Sequence, residues 1–516
     1  MSKRNSKHIY QKSGVLLAFT LLASLAAAVQ YAFRITAVFV DKTVFIGFST
    51  LFQVLAVLSA IGLLVLTTLK LRNMQKNGKP IADSRIFSVF AVLFEALGTV
   101  SILYNIGNII GSNAETLLVM RETFCKTLPL FLGLSTIAFL LCIYPAIQKG
   151  ALKKCIAVIL SLGVLGSTVW TLFPYCNYKI TSAPMVIDSG TQYAVVFATN
   201  DTGTGFLEYT YDGKTYTVYD ETAGRIKGDS KIHTVKIPKT HLENNAYRIG
   251  STRILEERSY GGRSGKTAYS DTYSFRATTG ADQTYLCISD WHTRLEKAYD
   301  AVAYIGDYDG VLLLGDAVPG LMYEDEIVEN IVEFGGTVSD GTKPVIYVRG
   351  NHETRGGYAA KLPDYLGLDS FYYETAYGDY NFLVLDSGED KPDDHIEYGG
   401  MVNYGAYRAA MTDWLGTLPK SDKKTITLVH DSNLTVEDDL RVRAQNELQR
   451  LDATQILSGH YHNCEYKEEN GLRIFVDGGY DKGTFIASKL TLGVNGYRLE
   501  AWTDQGEQVF LKDLEW

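Results

Sequence analysis

Five short clusters in the second half of the chain hold most of its metal-binding side chains. They are Asp290-Trp291-His292, Gly315-Asp316, Gly350-Asn351-His352-Glu353, His430 and Gly459-His460-Tyr461-His462. Five of the chain's nine histidines fall in them. Their donors are carboxylate, carboxamide and imidazole, with no thiolate, which suits two hard-to-borderline divalent cations. The candidate metal ligands are Asp290, His292, Asp316, Asn351, His430, His460 and His462. A carboxylate has two oxygens, so Asp316 can bridge two ions. Two ions roughly 3.5–4 Å apart clamp a phosphate and lower the pKa of a bridging water. His352, next to Asn351, is then free to protonate the departing oxygen. Asp316 and His352 are thus the expected catalytic pair. A DxH or a GD alone occurs by chance, and a lone histidine is more often a satisfied polar group. The conjunction carries the reading.

Something must bring these clusters together. Each follows an apolar, strand-like run: Tyr285–Ile288, Gly310–Leu314, Val345–Val348, Thr425–Val429 and Gln455–Leu457. A further run, Asn381–Leu385, precedes Asp386-Ser387. Runs of four to eight apolar residues alternating with helical patterns indicate a layered α/β domain. In such folds the sites gather where loops leave the carboxyl ends of strands. Gly315, Gly350 and Gly459 are expected to let the backbone turn sharply beside the ions.

The motif order D-x-H, G-D, G-N-H-[ED], H, G-H-x-H resembles the calcineurin-like metallophosphoesterase superfamily. That resemblance implies an α/β domain over 279–516, with two mixed sheets flanked by helices in four layers. It implies one metal on Asp290, His292, Asp316 and His462, and a second on Asp316, Asn351, His430 and His460. Asn351 and His352 would contact the phosphate. The metals implied are two divalent ions (Mn, Fe, Zn or Co), and the reaction is attack of metal-bound hydroxide on a phosphate ester.

Residues 183–278 have a different texture. Short β-prone runs alternate with turns, and Asp212-Gly213 between Phe206–Tyr211 and Lys214–Tyr219 predicts a tight hairpin. About 95 residues of this kind suggest a small β-sandwich. Placed just before the catalytic motifs, the segment resembles the N-terminal fibronectin-type domain of purple acid phosphatases. The ligand set departs from that family: Pro319 stands where it has a tyrosine, and it lacks the counterpart of His292.

Residues 1–175 are expected to form an all-α membrane anchor of five helices. Five apolar runs approach the roughly 20 residues a span needs: Ser13–Phe33, Thr43–Leu69, Ile86–Ile110, Thr127–Ile147 and Ile156–Phe173. The N-terminus and the second and fourth connections are rich in Lys and Arg, which places them inside. The catalytic part would then lie outside a plasma membrane. Small residues at Ala26–Ala28 also give the first run a signal-peptide character, and cleavage there would leave the same final side. Glu95, within the third run, is either a functional intramembrane acid or a protonated group bonded to a neighbour.

The 516-residue chain carries a net charge of -9. Residues 1–174 hold 16 Lys and Arg against 5 Asp and Glu, so the remainder is at -20. Nucleic acid rewards basic patches, and none is expected as a partner; the expected partners are a phosphate ester and a lipid bilayer. The six cysteines form no CxxC pair. They are either free thiols or include one Cys125–Cys176 disulfide on the outer side.

Secondary candidates flank the motifs. Arg355 either contacts a substrate oxyanion or sits in solvent. Asp386 and Asp431 either orient ligand histidines or cap turns. Trp291 and Tyr461 either wall the pocket or pack. The expected protein is a membrane-anchored, extracytoplasmic phosphomonoesterase or phosphodiesterase. The alternative, a catalytically silent protein that binds or senses a phosphate ligand, predicts missing ligands, and all seven positions are filled. A transporter would need polar residues on several spans, and Glu95, Asn105 and Asn108 share one.

Overall fold

The computed structural model describes residues 176–257 and 262–516, together with seven isolated helical residues between Gly62 and Leu93. The chain divides into two units, Met1–Asn177 and Tyr178–Trp516, and the second holds the architecture described here.

The elements that position the motifs are strands β1 (Met185–Asp188), β2 (Gln192–Tyr211), β3 (Gln283–Ile288), β4 (Gly310–Leu313), β5 (Pro344–Tyr347), β6 (Tyr380–Val384), β7 (Lys424–Leu428), β8 (Gln455–Ser458), β9 (Leu472–Val476) and β10 (Thr484–Gly493). The main helices are α1 (Leu295–Val302), α2 (Tyr404–Thr417) and α3 (Asp438–Arg450). Strands β3, β4 and β5 are parallel neighbours in a 14-stranded sheet. Strands β6, β7, β8 and β9 run parallel in a second sheet of six strands. Both groups read as near-continuous apolar runs because both faces of each strand are covered.

Alternation decides what each face meets. Tyr285, Cys287, Leu312 and Leu314 share one core with Phe382, Val384, Leu428 and Phe475 from the second sheet. The opposite set, Leu286, Ile288, Val311 and Leu313, packs with Ala298 and Ala301 of α1 and with Phe334. On the far side, Leu383, Val429 and Ile456 pack with Met411 and Leu415 of α2 and Leu448 of α3. The order is therefore helix, sheet, sheet, helix.

The expected fold class of five-helix anchor, separate fibronectin-type sandwich and catalytic domain is corrected here. No helix among the described residues is long and apolar enough to cross a membrane. Most of the five apolar runs, with Glu95 and Cys125, lie outside the described residues. The β-rich segment does not form a sandwich of its own. Strand β1 pairs in parallel with β5, Val186 opposite Pro344, and antiparallel with β2. The large sheet thus runs without a break from the C-terminal strands through β3, β4 and β5 into β1, β2 and Ala246–Glu257.

The physical reason is burial. All four residues of β1, Met-Val-Ile-Asp, are buried, as expected of a central strand and not of a sandwich edge. Strand β2 also extends far to the N-terminal side of the run Phe206–Tyr211. It spans 20 residues, with its register against Ser230–Pro238 shifting between Ala198 and Gly203. Its far end forms the expected hairpin, Tyr211 opposite Lys214, with Asp212 at φ 48° and Gly213 at φ 70°. Positive φ at both turn residues matches the strand twist.

A fragment from Tyr178 to Trp516 is therefore expected to unfold in one calorimetric transition. A fragment starting at Thr279 strips β1 and β2 from β5 and is expected to show no cooperative transition. An independent melt of the shorter piece would contradict the single-body arrangement.

Candidate metal centre

All five motifs lie at the carboxyl ends of parallel strands. Asp290 follows β3, Asp316 follows β4 and Asn351 follows β5, whereas His430 follows β7 and His460 follows β8. The first sheet thus supplies Asp290, His292, Asp316, Asn351 and His352, and the second supplies His430, His460 and His462. Direct bonds join the two sheets here. The His460 N–H donates to Asp290 Oδ2 at 2.9 Å, and the His430 ring meets the Leu314 carbonyl. Within the first sheet, the Tyr480 N–H donates to the Asp290 carbonyl at 3.3 Å.

Three groups of donors lie close enough to hold a cation: Asp290, His292 and His462; Asp316, His430 and His460; and His292, Asp316 and His352. The first two divide most of the candidate ligands between two positions. His430 Nε2 is 3.2 Å from Asp316 Oδ2, and His462 Nε2 is 3.5 Å from Asp290 Oδ1. His292 Nε2 lies 4.0 Å from Asp290 Oδ1 and 3.8 Å from Asp316 Oδ2.

The donor set fits cations on three observations. Asp290 Oδ1 is buried and has no hydrogen-bond partner, while three imidazoles point toward it. A buried lone pair left so is costly unless something positive meets it. Second, backbone carbonyls select histidine tautomers. His430 Nδ1 donates to the Leu314 carbonyl at 2.7 Å, and His462 Nδ1 to the Tyr480 carbonyl at 2.6 Å. Each Nε2 is thereby the atom that faces the site and would offer its lone pair to a cation. Third, the Asn351 carboxamide faces Asp316 Oδ2 and His460 Nδ1 on one side and Arg355 on the other. One orientation donates to the first two at 3.2 Å each, and the other turns its oxygen toward them. The second is the one a cation would select.

Without a cation, Asp316 and His430 pair as ions, and a cation would take the place of the His430 Nε2 proton. Burial disfavours charge on both groups, yet their mutual attraction outweighs it. Asp316 is held well below the usual carboxylate range and His430 well above the usual imidazole range. His352 stands apart from this pair. Its Nδ1 meets the Pro319 carbonyl at 2.9 Å, and its half-exposed ring points Nε2 at Asp316 Oδ2, 3.8 Å away.

The backbone is bent hard to achieve this. Asp290, His292, Asp316, His460 and His462 all have positive φ, between 38° and 74°. Non-glycine residues in that region store strain, and such strain gathers at functional sites. The motif glycines divide in role. Gly315 has φ 93° and is a true turn. Gly350 and Gly459 do not have positive φ; they are needed for closeness. A Cβ on Gly350 would sit 2.1 Å from Asp316 Oδ1, and one on Gly459 2.6 Å from Asp290 Oδ2.

Sequence reasoning missed the residue that holds the loops. Glu353 is fully buried. Its carboxylate accepts the N–H groups of Asp316 at 2.9 Å, Ala317 at 2.5 Å and Gly350 at 2.7 Å, with Val318 at 3.4 Å. Burial, with Asp316 nearby, raises its pKa. A second missed acid, Asp477, is buried behind Asp290. It accepts from Ser289 Oγ at 2.9 Å and from Ser488 Oγ, and burial pushes it up to about 7. Glu353 was legible as part of Gly350-Asn351-His352-Glu353; Asp477 had no signal beyond following an apolar strand.

The secondary candidates settle as follows. Arg355 makes a bidentate pair with Glu389, 2.8 Å on each arm. Asp386 bonds to no histidine: it pairs with Arg349 at 2.6 Å, accepts from Tyr407, and caps the turn at Gly388. Asp431 accepts from Tyr461 at 2.6 Å and from the Asn433 N–H. Trp291 is fully buried against Phe334, with its Nε1 on the Asn330 carbonyl. Tyr461 is partly exposed. A polar cavity of about 530 Å³ lies at the opposite, amino-terminal ends of β3, β4 and β5, lined by Thr278, Gln283, Asp309 and Lys343 among others, and shares no residue with the cluster.

The sequence model of the calcineurin-like phosphoesterase family matches residues 284–464, so the chain carries a domain of that kind. No curated protein sequence matches it. Among solved structures it is similar to PhoD, with 12% identity over 64% of this chain and 91% of that one, at a TM-score of 0.42. It is also similar to GAP50, the anchor in the inner membrane complex of Plasmodium, with 14% identity over 46% and 89% and a TM-score of 0.33. A predicted phosphoesterase from Streptococcus pneumoniae TIGR4 aligns at 14% identity over 46% and 99%, with a TM-score of 0.25.

Replacing Glu353 by Ala leaves buried N–H groups without an acceptor, each worth about 1–3 kcal/mol. Glu353→Ala is expected to lower unfolding free energy by about 3 kcal/mol or more in urea titration. Asp316→Ala, which leaves those bonds in place, is expected to lose less.

Proposed function

We propose that this chain is a two-metal phosphoesterase hydrolysing phosphate esters, held at a plasma membrane with residues 178–516 on the extracytoplasmic side. The observation that carries the activity is the meeting of two ligand groups around a buried, unpaired Asp290 oxygen, in a segment matched by a phosphoesterase family.

One cation would be held by Asp290, His292, Asp316 and His462, the other by Asp316, Asn351, His430 and His460. When bound, such ions polarise phosphoryl oxygens and make water acidic enough to serve as a nucleophile at neutral pH. The protein's own residues do the rest. Asp316, fixed between the His352 N–H at 3.0 Å and His430, spaces the two positions. Asn351 orients the phosphate by its carboxamide. His352 keeps its Nδ1 proton on the Pro319 carbonyl, so protonated Nε2 can deliver a proton to the leaving oxygen. No serine, cysteine or aspartate nucleophile motif competes with direct hydrolysis.

The support for location lies in the sequence: the apolar runs before residue 175 and the Lys and Arg bias of alternate connections. A lipid bilayer is the proposed partner of that region.

The fragment 178–516, loaded separately with Mn, Zn or Fe, is expected to cleave a nitrophenyl monoester or a bis-nitrophenyl diester. Chelation or Asp316→Asn should abolish turnover, and His352→Ala should lower kcat by about 10²–10⁴-fold. Folded, metal-loaded protein that cleaves neither ester would sink the reading. For location, protease added to intact cells is expected to remove the C-terminal unit; full protection would overturn that part.

A further inference from the structure

Arg294 lies two residues beyond His292 and is exposed. Its guanidinium lies over the Tyr480 ring, 3.9 Å from the centroid, and its Nη1 donates to the His292 carbonyl at 3.2 Å. Tyr480 is already part of the site: its carbonyl takes the His462 Nδ1 proton and its N–H holds the Asp290 carbonyl. One residue therefore seats both a candidate ligand histidine and this arginine. The Arg294 backbone is fixed as well, its N–H on the Trp291 carbonyl at 2.7 Å and its carbonyl receiving the Ala298 N–H at 3.1 Å.

Charge separates Arg294 from its neighbours. Arg355, on the His352 side, is matched by Glu389 and by Asp390 at 3.7 Å. Lys391 is matched by Asp390 and Glu397, and Lys297 by Asp504. Among the described residues, no carboxylate lies within ion-pair distance of Arg294. Asp481, next to Tyr480, is engaged by Lys482 at 3.2 Å. Stacking on an aromatic face leaves the in-plane N–H donors of a guanidinium free, in a fork that fits phosphate or carboxylate.

We propose that Arg294, seated on Tyr480, binds a second anionic group on the substrate, a phosphate or a carboxylate carried by the organic part of the ester. This rests on the phosphoesterase reading of the same site. The preferred substrates are then phosphate esters with an additional negative charge, and Arg294 is a specificity residue that leaves the reacting phosphate alone.

Three ligands on one carbon skeleton test this: glycerol 3-phosphate, 3-phosphoglycerate and 2,3-bisphosphoglycerate. Binding is measured by calorimetry on the Mn-loaded full chain with excess metal removed, in a His352→Ala background that slows turnover. The second anion should tighten binding about tenfold or more over glycerol 3-phosphate. Arg294→Gln should erase that gain and leave glycerol 3-phosphate within about twofold. An Arg294-dependent gain already present with 3-phosphoglycerate supports the proposal and names the carboxylate, and one that first appears with the bisphosphate, which carries the same carboxylate, supports it and names the phosphate. Equal weakening of all three by Arg294→Gln, or no change in any, overturns it. Hydrolysis of the same ligands by the His352 parent is recorded alongside. A parent that binds with the Arg294-dependent selectivity and cleaves none would fail the phosphoesterase reading and uphold the anion site.

Discussion

The site depends on one buried carboxylate. Glu353 gathers backbone N–H groups from two loops that leave different strands, so Asp316 and Asn351 cannot drift apart. A carboxylate is suited to this because it presents several lone pairs and strengthens each bond by its charge. Desolvating it is costly, and the convergent donors offset that cost. A glutamine in its place would turn an amide N–H toward backbone N–H groups.

The same constraint accounts for the strain around it. Five candidate ligands sit at positive φ, which loose loops would relax away from. The two carboxylates are over-determined: Asp290 by the N–H groups of His460 and Tyr480, Asp316 by that of His352 and by its own N–H bond to Glu353. The loops are thus held in the geometry a cation needs, in advance of binding, which is the usual meaning of preorganisation at a metal site.

Much of this was legible from residue types. The motifs announce themselves because Asp, Asn and His recur directly after apolar runs, and the Asp212-Gly213 hairpin follows from turn chemistry. Other features were not legible, for physical reasons. Backbone carbonyls such as those of Leu314, Pro319 and Tyr480 set histidine tautomers, and a carbonyl carries no residue signature. Strand β1 is too short and too uniformly buried to show an alternating pattern, and its partner β5 is remote in sequence. That is why the β-rich segment read as a separate sandwich. Asp386 read as a possible support for histidine, but Arg349 was close enough to claim it.

The pairing of β1 with β5 also bears on how the chain reaches this state. Val186 leaves the ribosome early and finds Pro344 only after β3, β4 and their helices have been made. Until then β1 can pair only with β2, which pairs in turn with Ser230–Pro238, and the outer edge of β1 stays open. Long-range pairings close late because loop entropy must be overcome before they contribute. The open edge in the meantime is an apolar strand with unsatisfied backbone groups, the kind of surface that recruits other chains. Docking of β1 beside β5 therefore both completes the sheet and removes its main aggregation hazard. Synthesis rate and chaperone supply should govern the yield of this protein more than the strength of its finished core does.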